Sequence, residues 1–257
     1  MNINDKVFVV TGASSGIGRA LSEALLDKGA KVYATSRSVE QTSFVHTNLY
    51  KKNLDASKLD NVDWLIRDAI ERFGRIDVFI ANAGFAYYEI LDEADANHID
   101  SIFNLNTRSV IYSAVKMREL YKCKPFRFVA ILSGASFVSM PGHALYSSTK
   151  AALRGFFDGY RHELFRKDQI LHTVYPVATE TEFFNVANQD RKPWPIQTVT
   201  TVSNAIIKGL EKDKERIHPS KLFKFTRIFM PWALKIYLWR ERRIFQRKHV
   251  NGNNKQD

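Results

Sequence analysis

The 257-residue sequence predicts an α/β domain on an open, doubly wound parallel sheet, followed by a basic, aromatic-rich helical extension. Three observations carry this prediction. Short apolar runs of strand length alternate with amphipathic stretches of helical period, the pattern of βαβ units. A glycine-rich turn joins the first run to the first helix, where a parallel sheet places anion-binding turns. Small and polar residues follow the later runs, at the carboxyl edge where open α/β sheets bind ligands.

In chain order, Val7 to Thr11 forms the first strand, and Gly12-Ala13-Ser14-Ser15-Gly16-Ile17-Gly18 turns into a helix through Leu21, Leu25 and Leu26 that stops at Gly29. The glycines let backbone amides approach a pyrophosphate at the helix N-terminus, and the spacing is G-x-x-x-G-x-G. Lys31 to Thr35 is the second strand, and an acid at its end would grip the ribose 2′-OH of NAD. Here Ser36 and Arg37 follow, with Arg19 just after the last glycine. Two guanidiniums and no acid suit a 2′-phosphate, which points to NADP(H).

A third strand near Leu49 to Leu54 closes on Asp55, and an amphipathic helix spans about Val62 to Phe73. Ile76 to Ile80 runs as the fourth strand into Ala81-Asn82-Ala83-Gly84, a small-residue turn in which Asn can brace neighbouring backbone. One helix from about Asn97 to Leu120 carries Asn104 and Asn106 within an apolar pattern, and such amides need partners when buried. Phe126 to Leu132 delivers Ser133, and a long helix is expected from about Ala144 to Lys167. Ile170 to Tyr175 is the sixth strand, and Pro176 to Thr181 follows it. The segment from Glu182 to Thr200, with Phe183, Phe184 and Trp194, reads as a lid or substrate loop before a helix near Val202 to Leu210.

Tyr146 and Lys150 lie four apart on the long helix and therefore share a face. A fixed positive charge favours phenolate, so Lys150 is expected to bring the Tyr146 pKa towards neutrality. Ser133, able to donate and accept, would polarise a substrate oxygen beside the phenol. This constellation suits proton transfer to or from a carbinol or carbonyl oxygen. Ser136 and His143 stand nearby as weaker candidates, His143 as a residue that shapes the pocket or faces solvent.

In this order the motifs resemble the short-chain dehydrogenase/reductase superfamily from about Lys6 to Leu210. The resemblance implies a Rossmann-like fold of about seven strands and hydride transfer between nicotinamide and a carbonyl or secondary alcohol. It assigns Tyr146 as general acid/base, Lys150 as its pKa-lowering partner that also holds the nicotinamide ribose, Ser133 as the substrate-orienting hydroxyl, and Asn106 as the anchor of a relay water. Cofactor contacts would come from Gly12, Ser14, Ser15, Gly16, Ile17, Gly18 and Arg19, from Ser36, Arg37 and Asp55, from Asn82, Ala83 and Gly84, and from Tyr146, Lys150, Pro176 and Thr181. Asp55 would meet adenine and Thr181 the carboxamide. The family usually has Pro-Gly where this chain has Pro176-Val177, so an altered pocket wall is expected. A homo-oligomer is expected, and a catalytically idle NADPH sensor is the alternative reading.

The formal charge is +11, but residues 216–257 hold 11 Lys+Arg against 2 Asp+Glu, leaving 27 against 25 before them. A nucleic-acid footprint should decorate a folded reading surface, and here the charge decorates an aromatic tail, so no nucleic-acid partner is expected. The expected division is a domain of residues 1–215 and an extension of residues 216–257. Between Lys221 and Lys248, Phe223, Phe225, Trp232 and Trp239 interleave with Lys224, Arg227, Lys235 and Arg240, a mixture suited to a peripheral membrane contact, with packing of the aromatics on the domain or on a second subunit as the alternative. Pro231 breaks the segment into two shorter pieces, so it should lie on a bilayer and not cross it. A single cysteine, Cys123, excludes an internal disulfide and an all-cysteine metal site, and no metal site is read. With no signal-like N-terminus, the expected compartment is the cytoplasm.

Overall fold

The computed structural model describes residues 1–181 and 196–253, with side chains to residue 246. Seven parallel strands form one sheet in the order β3-β2-β1-β4-β5-β6-β7. They are β1 Val7–Thr11, β2 Lys31–Ser36, β3 Leu49–Asn53, β4 Val78–Ala81, β5 Phe126–Ile131, β6 Gln169–Val174 and β7 Arg216–Ile217. From β1 the chain winds outward through β2 and β3, then crosses back to β4 on the other side of β1. The crevice beyond the carboxyl ends of β1 and β4 is the topological switch point, where this architecture places ligands.

Strand side chains alternate between two cores because the pleat has period two. Phe8, Val10, Val32, Val78 and Ile80 pack beneath helices α1 (Gly16–Leu26) and α6 (Val199–Glu211), with Leu21, Leu25 and Ile206. Val9, Tyr33, Phe79 and Phe128 face α2 (Leu59–Phe73), α4 (Ser109–Leu120) and α5 (Ala144–Tyr160), with Leu65, Met117 and Phe157. Burial on both faces explains why the inner strands read as unbroken apolar runs.

Three departures from the sequence reading matter. The expected helix from Asn97 to Leu120 is α3 (Ala96–Phe103), a π-helical turn over Asn104–Arg108, and then α4. The long helix ends at Tyr160, seven residues early, and tightens into a 3₁₀ turn over Arg161–Glu163. There the Arg161 guanidinium reaches the Leu171 carbonyl and Glu215, which offsets helix continuation. After β7 come α7 (Lys221–Phe229) and α8 (Pro231–Asn253). Pro231 divides the extension as expected, although the second piece is not short. The lid residues Phe183, Phe184 and Trp194 lie outside the described residues.

One buried histidine makes stability depend on pH. His172 on β6 is fully buried, its Nδ1–H donates to the Lys214 carbonyl at 2.7 Å, and Nε2 has no partner among the described residues. Burial lowers its pKa from 6.5 to about 4. Between these values the unfolded chain binds the proton that the folded one refuses, so stability is full above pH 6.5 and falls as pH drops to 4. We expect a loss on the order of 3 kcal/mol across that window from this group. Urea unfolding at stepped pH should show that contribution to the slope missing in His172→Asn.

Candidate active site

The floor of the site is the turn after β1. Gly12 has φ +68°, and a Cβ there would stand 2.8 Å from the Ala83 Cα, so a side chain is excluded twice. A Cβ at Gly18 would collide with the Gly12 carbonyl, which lets α1 start directly under the turn. Ser15 caps α1 without a side-chain bond, and the first turn carries no acid. Its amides and positive dipole end therefore suit an anion. These features fit the pyrophosphate of a dinucleotide, with Ser14, Ser15, Gly16 and Ile17 supplying backbone and Thr181 set against Gly16.

Asn82 ties this turn to the next. Its Nδ2 donates to the Thr11 and Gly12 carbonyls at 3.0 Å each, while the Asn82 and Ala83 amides donate to Thr11 Oγ1. The bracing role read from the sequence is the one the side chain performs. A Cβ at Gly84 would stand 3.0 Å from Asn106 Oδ1, so that turn lies tight against the amide.

The π-helical turn carries Asn106 inward, where it is fully buried. Its Oδ1 accepts from the Phe85 amide at 3.0 Å, and its Nδ2 donates to the Phe85 carbonyl at 2.8 Å and to Thr149 Oγ1 at 3.3 Å. The amide thus clamps the β4 turn to α5. An extra residue in one helical turn re-aims side chains, and such bulges gather at functional sites.

Ser133, Tyr146 and Lys150 meet beyond the end of β5. Ser133 stands in extended backbone, and its Oγ accepts from the Ala135 amide at 3.1 Å. The Ser133 hydroxyl lies beside the Tyr146 phenol and favours its ionised form. Lys150 is 4% exposed, donates to the Ile131 carbonyl at 2.9 Å, and holds its ammonium 5.8 Å from the Tyr146 ring centre. Burial lowers the Lys150 pKa to about 8. Burial also pushes the Tyr146 phenol up to about 12, against the opposite pull of Ser133. This corrects the expectation that Lys150 brings the phenol towards neutrality. Helical spacing sets the ammonium beside the ring, the Ile131 carbonyl holds it there, and desolvation of the phenolate dominates.

The neighbouring candidates have plainer places. Ser136 donates to the Ser133 carbonyl at 2.7 Å and so shapes the turn. His143 is buried, with Nδ1 at 3.1 Å from the Tyr87 carbonyl and its ring 6.2 Å from that of Tyr146. It shapes the pocket and does not face solvent. The Pro176 carbonyl accepts from the Gly134 amide at 2.7 Å, pinning the β6 end to the serine turn, and Val177 beside it is half-buried.

At the carboxyl end of β2, Ser36 closes the strand, and its Oγ accepts from the Ser38 amide at 3.1 Å. Arg37 is exposed and has no ion pair among the described residues. Arg19 is engaged instead, its Nε 2.6 Å from Glu23 and its guanidinium 4.0 Å over the Phe44 ring. The two arginines therefore do not form the matched pair that their sequence positions invite. Asp55 follows β3 with Oδ1 accepting from the Ser57 amide and hydroxyl.

The aromatic tail packs in part on the domain beside the site, the alternative its sequence left open. A Cβ at Gly134 would stand 3.2 Å from the ring of Phe223 on α7, and at Gly142 a side chain would meet Tyr88 and Phe245 of α8. Contacts so far apart in sequence leave no local periodic signal, so only the abundance of aromatics in the tail pointed to them.

A family model described as short chain dehydrogenase matches residues 6–192. An uncharacterized oxidoreductase of Staphylococcus saprophyticus is 34% identical over 200 residues, covering 74% of this chain and 81% of that protein. A short-chain dehydrogenase from Burkholderia cenocepacia, solved in complex with NADP, superposes with TM-score 0.78 at 26% identity, covering 93% of this chain and 99% of that one. A short-chain dehydrogenase/reductase from Burkholderia phymatum, solved with NAD, shares the fold at 18% identity and TM-score 0.77, covering 92% of this chain and 96% of that one. The match over most of the sheet and its carboxyl-edge motifs settles the assignment: the chain belongs to the short-chain dehydrogenase family of oxidoreductases.

Proposed function

We propose that the protein is an NADP(H)-dependent carbonyl reductase or alcohol dehydrogenase in which Tyr146 is the general acid/base. The observation that carries this reading is the Ser133–Tyr146 hydroxyl pair at the carboxyl edge of β5, backed by the buried Lys150 ammonium. NADP(H), when bound in the glycine cradle, supplies or accepts the hydride. Ser133 would orient the substrate oxygen, and Tyr146 would give it a proton as negative charge develops. A phenol raised to about 12 by burial is protonated at neutral pH and available to donate to the substrate oxygen in the reductive direction. Lys150 would stabilise the phenolate left behind and bind the nicotinamide ribose, while Asn106 holds the turn beneath, where the family's relay water would sit.

The substrate we infer is an apolar ketone, since Phe223, Tyr88 and Phe245 line the loop that follows Ser133. Residues 1–215 would form the catalytic domain and residues 216–257 an added wall. Exposed Val115, Leu120 and Phe165 offer a face for a homo-oligomer, and the exposed free Cys123 suits a reducing cytoplasm. Purified protein mixed with NADPH and a panel of apolar ketones should consume the reduced nicotinamide absorbance. Tight NADPH binding with no consumption for any ketone would favour the idle sensor instead.

NADP(H) preference rests on Arg37 and on the absence of an acid at the β2 end. Arg37→Asp is expected to move the ratio of kcat/KM values for NADPH and NADH by at least about tenfold towards NADH, because a carboxylate repels the 2′-phosphate and accepts from a 2′-OH. An unchanged ratio would take Arg37 out of the cofactor site and leave Arg19 as the reader.

A further inference from the structure

We propose that α7 and α8 form a docking surface for an anionic lipid membrane. Seven of the sixteen exposed large hydrophobic residues among the described ones fall between Leu222 and Trp239. On α7, Phe225 is 51% and Phe229 67% exposed; on α8, Trp232 is 57%, Ile236 60% and Trp239 55% exposed. With about 3.6 residues per turn, Trp232, Ile236 and Trp239 share one face of α8. Lys235 and Arg242 flank that face on one side and Arg240 on the other, and Arg243 stacks on Trp239 at 3.8 Å. Tryptophan rings ringed by cations suit the headgroup layer of an anionic bilayer.

The opposite faces of the same helices are anchored. Phe223 packs on Gly134, Arg227 lies 4.0 Å over the Phe137 ring, and the Tyr237 hydroxyl sits 3.7 Å from Met140 Sδ. The outer face is thus held in place by the body and left uncovered by it, and such patches mark interaction sites. Charge decides the occupant. The described side chains of α7 and α8 include seven Lys+Arg and one acid, Glu241, which already pairs with Arg240 at 2.9 Å. A second copy docked through this face would set cations against cations, whereas anionic lipid complements them. Among the described residues no helix is long and apolar enough to cross a membrane, so the helices lie on the surface.

The test is sedimentation of the full-length protein with vesicles of phosphatidylserine and phosphatidylcholine, and with phosphatidylcholine alone, at low and high salt. The protein should sediment with the anionic vesicles, and less so at high salt. Lys235→Glu with Arg242→Glu should lower the partition coefficient at least about 25-fold, taking about fivefold per cation. Ile236→Ser with Trp239→Ser should leave the protein in the supernatant. Both variants should keep the wild-type Tm and NADPH dissociation constant, which shows that the body is intact whether or not a ketone is turned over. Equal binding to both vesicle types at all salt concentrations would overturn the proposal. So would a wild-type protein that ignores vesicles, including one that forms a dimer dissolved by Ile236→Ser with Trp239→Ser, since a second copy would then cover the face.

Discussion

Tyr146→Phe is expected to lower kcat by at least about a hundredfold while NADPH binds with unchanged affinity, since general acid–base catalysis is worth roughly 10²–10⁴-fold. The substitution keeps the ring, its half-buried place on α5 and the neighbouring Lys150, and removes the hydroxyl that lies beside Ser133. The acidic and basic limbs of the pH–rate profile check it further. If Tyr146 donates the proton from a pKa raised by burial, the basic limb of reductive turnover should report loss of the Lys150 ammonium near pH 8 and not ionisation of the phenol. A variant retaining more than about a hundredth of the wild-type kcat would remove Tyr146 from the acid/base role.

Lys150→Met should cost more than a proton. It removes the ammonium that would stabilise the phenolate and hold the nicotinamide ribose, so kcat falls and the Kd for NADPH rises together. Its effect on stability carries its own signature. The folded pKa of Lys150 is lowered to about 8 by burial, so the unfolded chain holds the proton more tightly. The wild-type protein therefore carries the full penalty below pH 8 and sheds it as pH rises towards 10.5, a gain on the order of 3 kcal/mol. Lys150→Met should lack that rise. Urea unfolding at pH 7, 8 and 9 separates the two proteins, and parallel profiles would mean that the ammonium is solvated.

The parts of the fold visible in the sequence are those whose cause is local. Val7–Thr11, the glycine turn and Asn82-Ala83-Gly84 advertise buried strands and positions that admit no side chain, and the structure uses them so. The π-helical turn at Asn106 was not visible, because one extra residue per turn changes no composition and only blurs a helical period. The overlong α5 came from good helix formers after Tyr160, where the reach of Arg161 towards β6 prevailed over propensity. β7, at two residues, is too short to show a period and owes its existence to pairing with Thr173 and Val174.

In the candidate site, which side chains come together was legible and their electrostatics were not. That Tyr146 and Lys150 share a helix face follows from spacing alone. Where the ammonium points follows from the Ile131 carbonyl on another element, and the raised phenol pKa follows from how much water the surrounding loops exclude. The contact of Phe223 with Gly134 is likewise a tertiary fact, reachable from the sequence only as an abundance of aromatics near the C-terminus.

The central claim, hydride transfer at the Ser133–Tyr146 site, is tested most directly by following the hydride itself. NADPH deuterated at the transferable position of nicotinamide C4 is incubated with the wild-type protein and an apolar ketone, and the alcohol is analysed by mass spectrometry. Deuterium should appear at the carbinol carbon with the wild-type protein and be nearly absent with Tyr146→Phe under identical NADPH saturation. Alcohol formed without deuterium, or NADPH bound with no labelled alcohol from any ketone tried, would contradict the account.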